Sequence, residues 1–421
     1  MADPRIDVVV LLDGEDVLAG RVTSHRRHNA ETSSFSYDLA YIGRDGAYAL
    51  DPRLPLAEGP FQAPQGHALF GAFADAAPDR WGRNLIKRDE TRRASAAGVA
   101  ARSLGEIDFL LGVRDDFRQG ALRFRDPATE SFLAADDRGV PQLIDLPALV
   151  QASEHLDEGS ETDEELHELL RAGSSLGGAR PKAHVVHANG QLSIAKFPRN
   201  SQDVWNVGTW EKVALDLASS AGITVPESAL MNIDGRSVLI LRRFDRVDGR
   251  RVGYVSAMTM VEGTDGDVGS YLDIASKIEE VSPEATRDLH ELWRRIAFSI
   301  LISNTDDHLR NHGFLHERGT SWELSPAFDM NPTPDPGPKQ LRTAIDGYDT
   351  AASVELLISV AEFFRLKEFD AAHVLGDVLA STDRWRETAR HHGLTRIEVE
   401  EMAPAFEHPQ VDIARTFAAQ S

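Results

Sequence analysis

The sequence predicts an α+β fold, strand-rich at the front and helical at the back. Up to about residue 245, short β-branched or apolar runs are separated by turn signals; from about 250 the apolar residues recur at helical spacing. A polar stretch, 304–348, is interrupted by Pro332, Pro334, Pro336 and Pro338 and divides the helical part. At ~150 residues per domain, the 421 residues suggest two or three domains. The expected divisions are 1–125, 126–245 and 246–421.

The runs 5–12 and 18–24 flank Asp13-Gly14, a hairpin-type signal. Residues 35–42 alternate polar and apolar side chains and end at Gly43, as a strand would. After Pro78, Trp81, Leu85 and Ile86 stand near helical spacing. The stretch 126–160 is polar and acidic and reads as a connection. Thr162, three residues ahead of Glu165, carries a capping-box signature for a short helix ending at Gly173. Alternating runs 184–188 and 191–197 around Asn189-Gly190 predict a β-hairpin. A helix follows over 209–221, with Val213, Leu217 and Ala221 on one stripe before Gly222. Residues 237–241 form a short buried strand. Helices are expected at 271–280, 283–303, 354–364, 370–379 and 397–406, and no internal repeat is present.

Composition narrows the function. Forty-five basic against 67 acidic residues leave a net charge of −22. A phosphate backbone would repel such a chain, so any DNA contact falls to a basic partner. With no cysteine, disulfides, thiolate metal sites and a Cys nucleophile are excluded. Hydrophobic residues at 42% and charged residues at 27% are ordinary globular values. The apolar run 8–12 is too short for a signal peptide or a membrane span, so a cytoplasmic protein without membrane association is expected. Only seven of the 45 basic residues are Lys. Base composition explains most of that ratio, yet Lys supplies a compact point charge, and Lys182 and Lys196 fall where chemistry is expected.

Four features carry that chemistry. Residues 173–182 hold three glycines, two serines and Lys182 between a helix and a hairpin. Gly173 and Gly178 have P-loop spacing, but Ala179 stands where that loop needs Lys. Glycines let backbone N–H groups approach phosphate oxygens; an ordinary turn has the same composition. By strand alternation Leu192, Ile194 and Lys196 share the apolar face, so the Lys196 ammonium emerges from the buried side into a cleft. A lysine snorkelling at a strand end fits that pattern too. Glu211, early on the next helix, is placed to pair with Lys196. The third feature, NTDDHLRN at 304–311, follows an apolar helix end. Asp306 and Asn311 have the D-x-x-x-x-N spacing of a phosphotransferase loop, in which Asp accepts the proton of the attacking hydroxyl and Asn offers oxygen to Mg²⁺. A capped interhelical loop is the plain alternative, and no spaced zinc ligand set is present. The fourth, Asp329 after Ala327-Phe328, matches the second metal ligand, though alone it would be an ordinary turn aspartate. The order of all these parts points to a protein-kinase-like bilobal fold.

Together SSLGGARPKA, IAKFP, LRRFDR, NTDDHLRNHGF and LSPAFDMNP resemble the HipA family. Its members are kinase-fold serine/threonine protein kinases, toxins of bacterial toxin–antitoxin pairs. ADAAPDRWGR (74–83) and GALRF (120–124) resemble the family's N-terminal domain, so the likeness spans most of the chain. It implies a HipA-type N-terminal subdomain over 1–125, a kinase small lobe over 126–245 and a helical large lobe over 246–421, with ATP and Mg²⁺ as cofactors. Asp306 would be the catalytic proton acceptor, Asn311 and Asp329 the Mg²⁺ ligands, and Lys196 the contact to the nucleotide phosphates. The backbone of Arg242, Arg243 and Phe244 would form the hinge beside adenine. Gly177, Gly178, Ala179, Arg180 and Lys182 would form the phosphate loop. Ser175 aligns with the serine whose autophosphorylation ejects that loop and silences the kinase. His308, two residues after Asp306 where many protein kinases carry Lys, would assist charge stabilisation beside the nucleotide. The resemblance also implies a protein substrate such as an aminoacyl-tRNA synthetase, and a small helix-turn-helix antitoxin, HipB-like, that binds operator DNA. Aminoglycoside- or lipid-type phosphotransferases share the D-x-x-x-x-N logic, and a non-catalytic scaffold would keep the same fold. The N-terminal likeness and the serine loop favour HipA.

Overall fold

The computed structural model describes residues 5–12, 14–27, 30–134, 140–173, 180–199, 203–316, 319 and 321–419. The N-terminal part is built on a five-stranded antiparallel sheet in the order Phe61–Gln62, Ala30–Tyr37, Glu15–Arg27, Arg5–Leu12, Arg123–Arg125. The expected hairpin joins Arg5–Leu12 to Glu15–Arg27, with Gly14 at φ +85° supplying the left-handed turn residue. Gly20 is required for packing: a Cβ there would stand 2.3 Å from the Ser36 carbonyl and 2.6 Å from the Phe35 ring. The strand expected over 35–42 stops early. Asp38 accepts the Ala40 N–H at 2.9 Å and caps a helical turn, Leu39–Ile42, which overrides the alternation.

A second antiparallel sheet runs in the order Lys182–Val186, Leu192–Lys196, Arg236–Arg242, Ser228–Ile233. One face, carrying Ala183, Val185, Ala195, Val238 and Ile240, packs on apolar residues of the helices Leu146–Glu158, Asp163–Ala172 and Arg80–Ala96. Leu239 and Leu241 on the other face meet Leu215 of the helix Val207–Ser220. Two sequence expectations need correction here. The helix Leu146–Glu158 lies inside the presumed connection; Leu146, Leu149, Val150 and Leu156 are buried at helical spacing, a stripe hidden by the acidic composition around it. The hairpin strand alternates as expected with its faces exchanged: Ser193 and Ala195 are buried, while Leu192, Ile194 and Lys196 lie on the half-buried side. Ala195 takes the core side, packed in one apolar cluster with residues of those helices.

The C-terminal part surrounds the helix Ala285–Leu301, whose residues from Arg295 onward are all buried. The helices Tyr271–Val281, Val354–Ser359, Glu368–Thr382 and Pro409–Ala418 pack around it. A three-stranded antiparallel sheet, Gly253–Ser256, Gly313–His316 and Glu323–Leu324, crosses the polar stretch that follows. Among the described residues, no helix is long and apolar enough to cross a membrane.

LRRFDR locks the N-terminal part onto the rest. Arg243 donates to Asp245 at 2.7 and 2.5 Å and to the Phe117 carbonyl at 2.6 Å. Asp245 accepts the Gly120 N–H at 2.7 Å, and Arg246 donates to the Arg118 carbonyl at 2.8 Å. The fully buried Arg118 in turn donates to the carbonyls of Ala76, Leu110 and Val113. Buried charges are tolerated only when paired in this way.

Candidate active site

The sheet and the helix beside it converge on one ammonium. Lys196, last residue of the strand Leu192–Lys196, lies 2.7 Å from Glu211 Oε1 and 2.9 Å from Asp329 Oδ1. Glu211 reaches it from the first turns of Val207–Ser220, a helix capped by the Asn206 side chain. Burial pulls the Lys196 ammonium toward neutrality, but Asp329 and Glu211 outweigh it and raise its pKa. Burial pushes the Asp329 carboxyl up; Lys196 chiefly, with Lys182 and His308, holds it at about 2. Burial raises Glu211, with the Asp329 charge adding to that effect. The site therefore keeps a charged lysine and an ionised Asp329 across the physiological range. Asp329 is also held at φ +60°, a left-handed conformation that costs a non-glycine residue ~1–3 kcal/mol and clusters at functional sites.

The loop after Ala285–Leu301 presents two carboxylates with opposite environments. Asp307 is buried. It accepts hydrogen bonds from Tyr271 at 2.6 Å and Ser299 at 3.1 Å, and lies 2.9 Å from His312 Nε2. Burial pushes it up, but His312 and those donors bring it below the usual carboxylate range. Asp306, 75% exposed, turns outward with Arg342 3.5 Å away. Asp307 thus anchors the loop and Asp306 is presented by it. Asn311 donates its amide to the Asp306 carbonyl at 3.1 Å, which leaves its Oδ1 for a cation. The Asn304 side chain accepts the Asn331 N–H at 3.3 Å, tying this loop to the segment carrying Asp329.

The oxygens present suit Mg²⁺. Asn331 donates to Asp329 at 3.4 Å, and its own Oδ1 is buried without a hydrogen-bond partner. Asn311, Asp329 and Asn331 offer hard oxygen donors with one carboxylate among them, the kind of set Mg²⁺ accepts when phosphates and waters complete its shell.

The structure brings Lys196, Glu211 and Asp329 into direct contact, and Asp306 and Asn311 onto one short loop. Asp306 and His308 also line a cavity of about 1120 Å³ that Lys196, Asn311 and Asp329 do not line. Its far wall is N-terminal, with Asp79, Arg80, Arg83, Asn84 and Lys87. Arg180 pairs with Asp203 at 2.7 Å, and Lys182 pairs with Asp79. The N–H groups of Arg242 and Arg243 donate to the carbonyls of Glu227 and Leu192, so of the three expected hinge residues the Phe244 amide alone is not engaged in the sheet. Phe244 packs against Phe328, with ring centroids 5.6 Å apart. Ser175, Gly177, Gly178 and Ala179 lie outside the described residues. The sequence pattern assigns no role to Asp79 or Asn331, and none to Asp307 as the anchor of its loop.

Known proteins resemble this chain in sequence and in fold. The model of the HipA N-terminal domain matches residues 9–105, and that of the HipA-like C-terminal domain matches residues 174–405. The chain is 30% identical over 175 residues to "Putative kinase Y4dM" of Sinorhizobium fredii, a match covering 38% of this chain and 40% of that protein. It is 22% identical over 362 residues to "Putative kinase Y4mE" of the same organism, covering 76% and 77%. The first of these matches thus spans about two fifths of the relative's length. A solved complex of Shewanella oneidensis MR-1 HipA, HipB and operator DNA aligns over 99% of this chain and 96% of that one, with a TM-score of 0.65 at 14% identity. The expected α+β, kinase-like architecture is therefore the observed one. With both family models matched in order and the fold shared end to end, the chain belongs to the HipA family.

Proposed function

We propose that this chain is an ATP- and Mg²⁺-dependent kinase that phosphorylates a serine or threonine of a target protein, and that it acts in the cytoplasm as the toxin of a toxin–antitoxin pair. The observation that carries the reading is the Lys196 ammonium, buried between Glu211 and Asp329 beside a loop that presents Asp306 and Asn311. Such a lysine is fixed in length and charge before nucleotide arrives, which suits it to the phosphate oxygens. Asn311 and Asp329 would hold Mg²⁺, which when bound neutralises charge on the phosphates. Phe244 and Phe328 would flank the base.

Asp306 is exposed toward the cavity of about 1120 Å³, and the acceptor hydroxyl would enter there and give up its proton to this carboxylate. His308, on the same wall and close enough to influence the Asp329 carboxyl, would stabilise charge between donor and acceptor. Gly177, Gly178, Ala179, Arg180 and Lys182 would close over the phosphates. Phosphorylation of Ser175 would add ~1.5 to 2 negative charges to a loop that must hold anions, and so would switch the kinase off. We read the N-terminal subdomain as 1–125 and the two lobes as 126–245 and 246–421.

The partner would be a helix-turn-helix protein that supplies the basic surface this chain of net charge −22 lacks. The Shewanella oneidensis HipA of the same fold is bound to HipB and operator DNA, which supports that reading. Asp306→Asn tests the chemistry. Transfer of labelled phosphate from ATP to protein is expected to fall ~10²–10⁴-fold while ATP binding persists; undiminished transfer would remove Asp306 from the role.

A further inference from the structure

Lys182 is gripped by the N-terminal part of the chain. Its side chain is 2% exposed, and its Nζ stands 2.5 Å from Oδ2 of Asp79, itself 5% exposed. Asp79 caps the helix Arg80–Ala96, its other carboxylate oxygen accepting the Gly82 N–H at 2.8 Å. Two residues on, Trp81 donates its indole N–H to the Lys182 carbonyl at 3.2 Å. Both the side chain and the backbone of Lys182 are therefore fixed by one helix start, about a hundred residues away in sequence.

In the sheet Lys182 stands directly opposite Lys196. Cross-strand partners project on the same face, so two ammonium groups point the same way from neighbouring strands. Each is matched by a buried carboxylate, Glu211 for Lys196 and Asp79 for Lys182. Lys182 therefore stands one strand away from Lys196, the ammonium that contacts Asp329 at 2.9 Å. Stability alone does not call for such a pair, because apolar residues of similar volume usually hold a buried position as well or better.

We propose that Asp79 is a positioning residue for phosphotransfer: it holds Lys182 beside Lys196, so that the N-terminal part of the chain sets the geometry of the face that receives the nucleotide phosphates. The proposal rests on the kinase reading. It makes nucleotide use sensitive to whatever displaces the N-terminal part.

The test uses full-length protein and MgATP, with affinity measured by titration calorimetry and folding by thermal denaturation. Asp79→Asn, assayed well below its melting temperature, is expected to raise the Kd for MgATP by at least about tenfold. The double variant Asp79→Leu with Lys182→Met replaces the pair by apolar side chains. It should melt close to the wild type and still bind MgATP at least about tenfold more weakly. Wild-type affinity in either folded variant would overturn the proposal, since a merely structural pair predicts that outcome. If Asp79→Asn does not fold, Asp79→Ser, which can still cap the helix at Gly82, takes its place with the same expected and overturning results. No MgATP binding by the wild type would instead bring down the kinase reading, and this proposal with it.

Discussion

Replacing Lys196 by methionine removes an ammonium while keeping an unbranched side chain of similar reach, so it isolates charge from packing. In the native site that ammonium is 2.7 Å from Glu211 and 2.9 Å from Asp329. Against the effect of burial, Lys196 chiefly, with Lys182 and His308, brings the Asp329 carboxyl from 3.8 down to about 2. At 1.36 kcal/mol per unit, that difference is worth about 2 kcal/mol, and less once its 33% side-chain exposure is allowed for. In the variant two carboxylates face each other with no cation between them, and at least one must take up a proton near neutrality. The cost at neutral pH should therefore rise toward the ~3–5 kcal/mol of a buried pair that has lost one partner.

The dependence on pH has a definite sign. A carboxyl depressed in the folded state, like Asp329 in the wild type, contributes stability that is complete above its unfolded pKa and lost as pH falls through about 2. A carboxyl raised in the variant carries a penalty that is full at neutral pH and disappears below its unfolded pKa. The gap between the two proteins is thus widest near neutrality and narrows toward about pH 4. Urea unfolding followed by tryptophan fluorescence, at about pH 7.5 and about pH 4.5, measures it. Equal gaps at both pH values would refute the electrostatic account and leave only packing.

Other perturbations separate groups that lie close in sequence. Asp307→Asn should cost about 1–3 kcal/mol in urea unfolding, because Tyr271 and Ser299 lose an ionised acceptor, whereas Asp306→Asn should leave the melting temperature unchanged. Asp245→Asn leaves Arg243 and Arg246 buried without their counter-ion; a loss of ~3–5 kcal/mol is expected, with limited proteolysis now cutting between the N-terminal part and the rest. ATP should raise the melting temperature only when Mg²⁺ is present, and Asp329→Asn should abolish that increment, as differential scanning fluorimetry would report.

What could be read from the sequence was what breaks a local pattern. Asp306 and Asn311 stand out because they follow a helix end that is wholly apolar, and the Thr162–Glu165 box because a cap has fixed spacing. Glu211 was legible since a carboxylate one turn into a helix after Lys196 has few directions to reach. The helix Leu146–Glu158 was missed because its apolar stripe is diluted by acidic neighbours, and the hairpin faces were exchanged because Ala195 gives no sign that it fills a core. Arg243 and Asp79 show the deeper limit. An arginine in the run Arg242-Arg243 looks like a solvated surface charge, and Asp79 is fully explained by its capping of Gly82. Each also bonds to groups on the other part of the chain, Phe117 and Lys182, and nothing local requires a second partner for either. Residues satisfied by a local role are therefore where contacts between the parts of this molecule are hidden, and its N-terminal part is joined to the sheet that carries Lys196 through just such a residue.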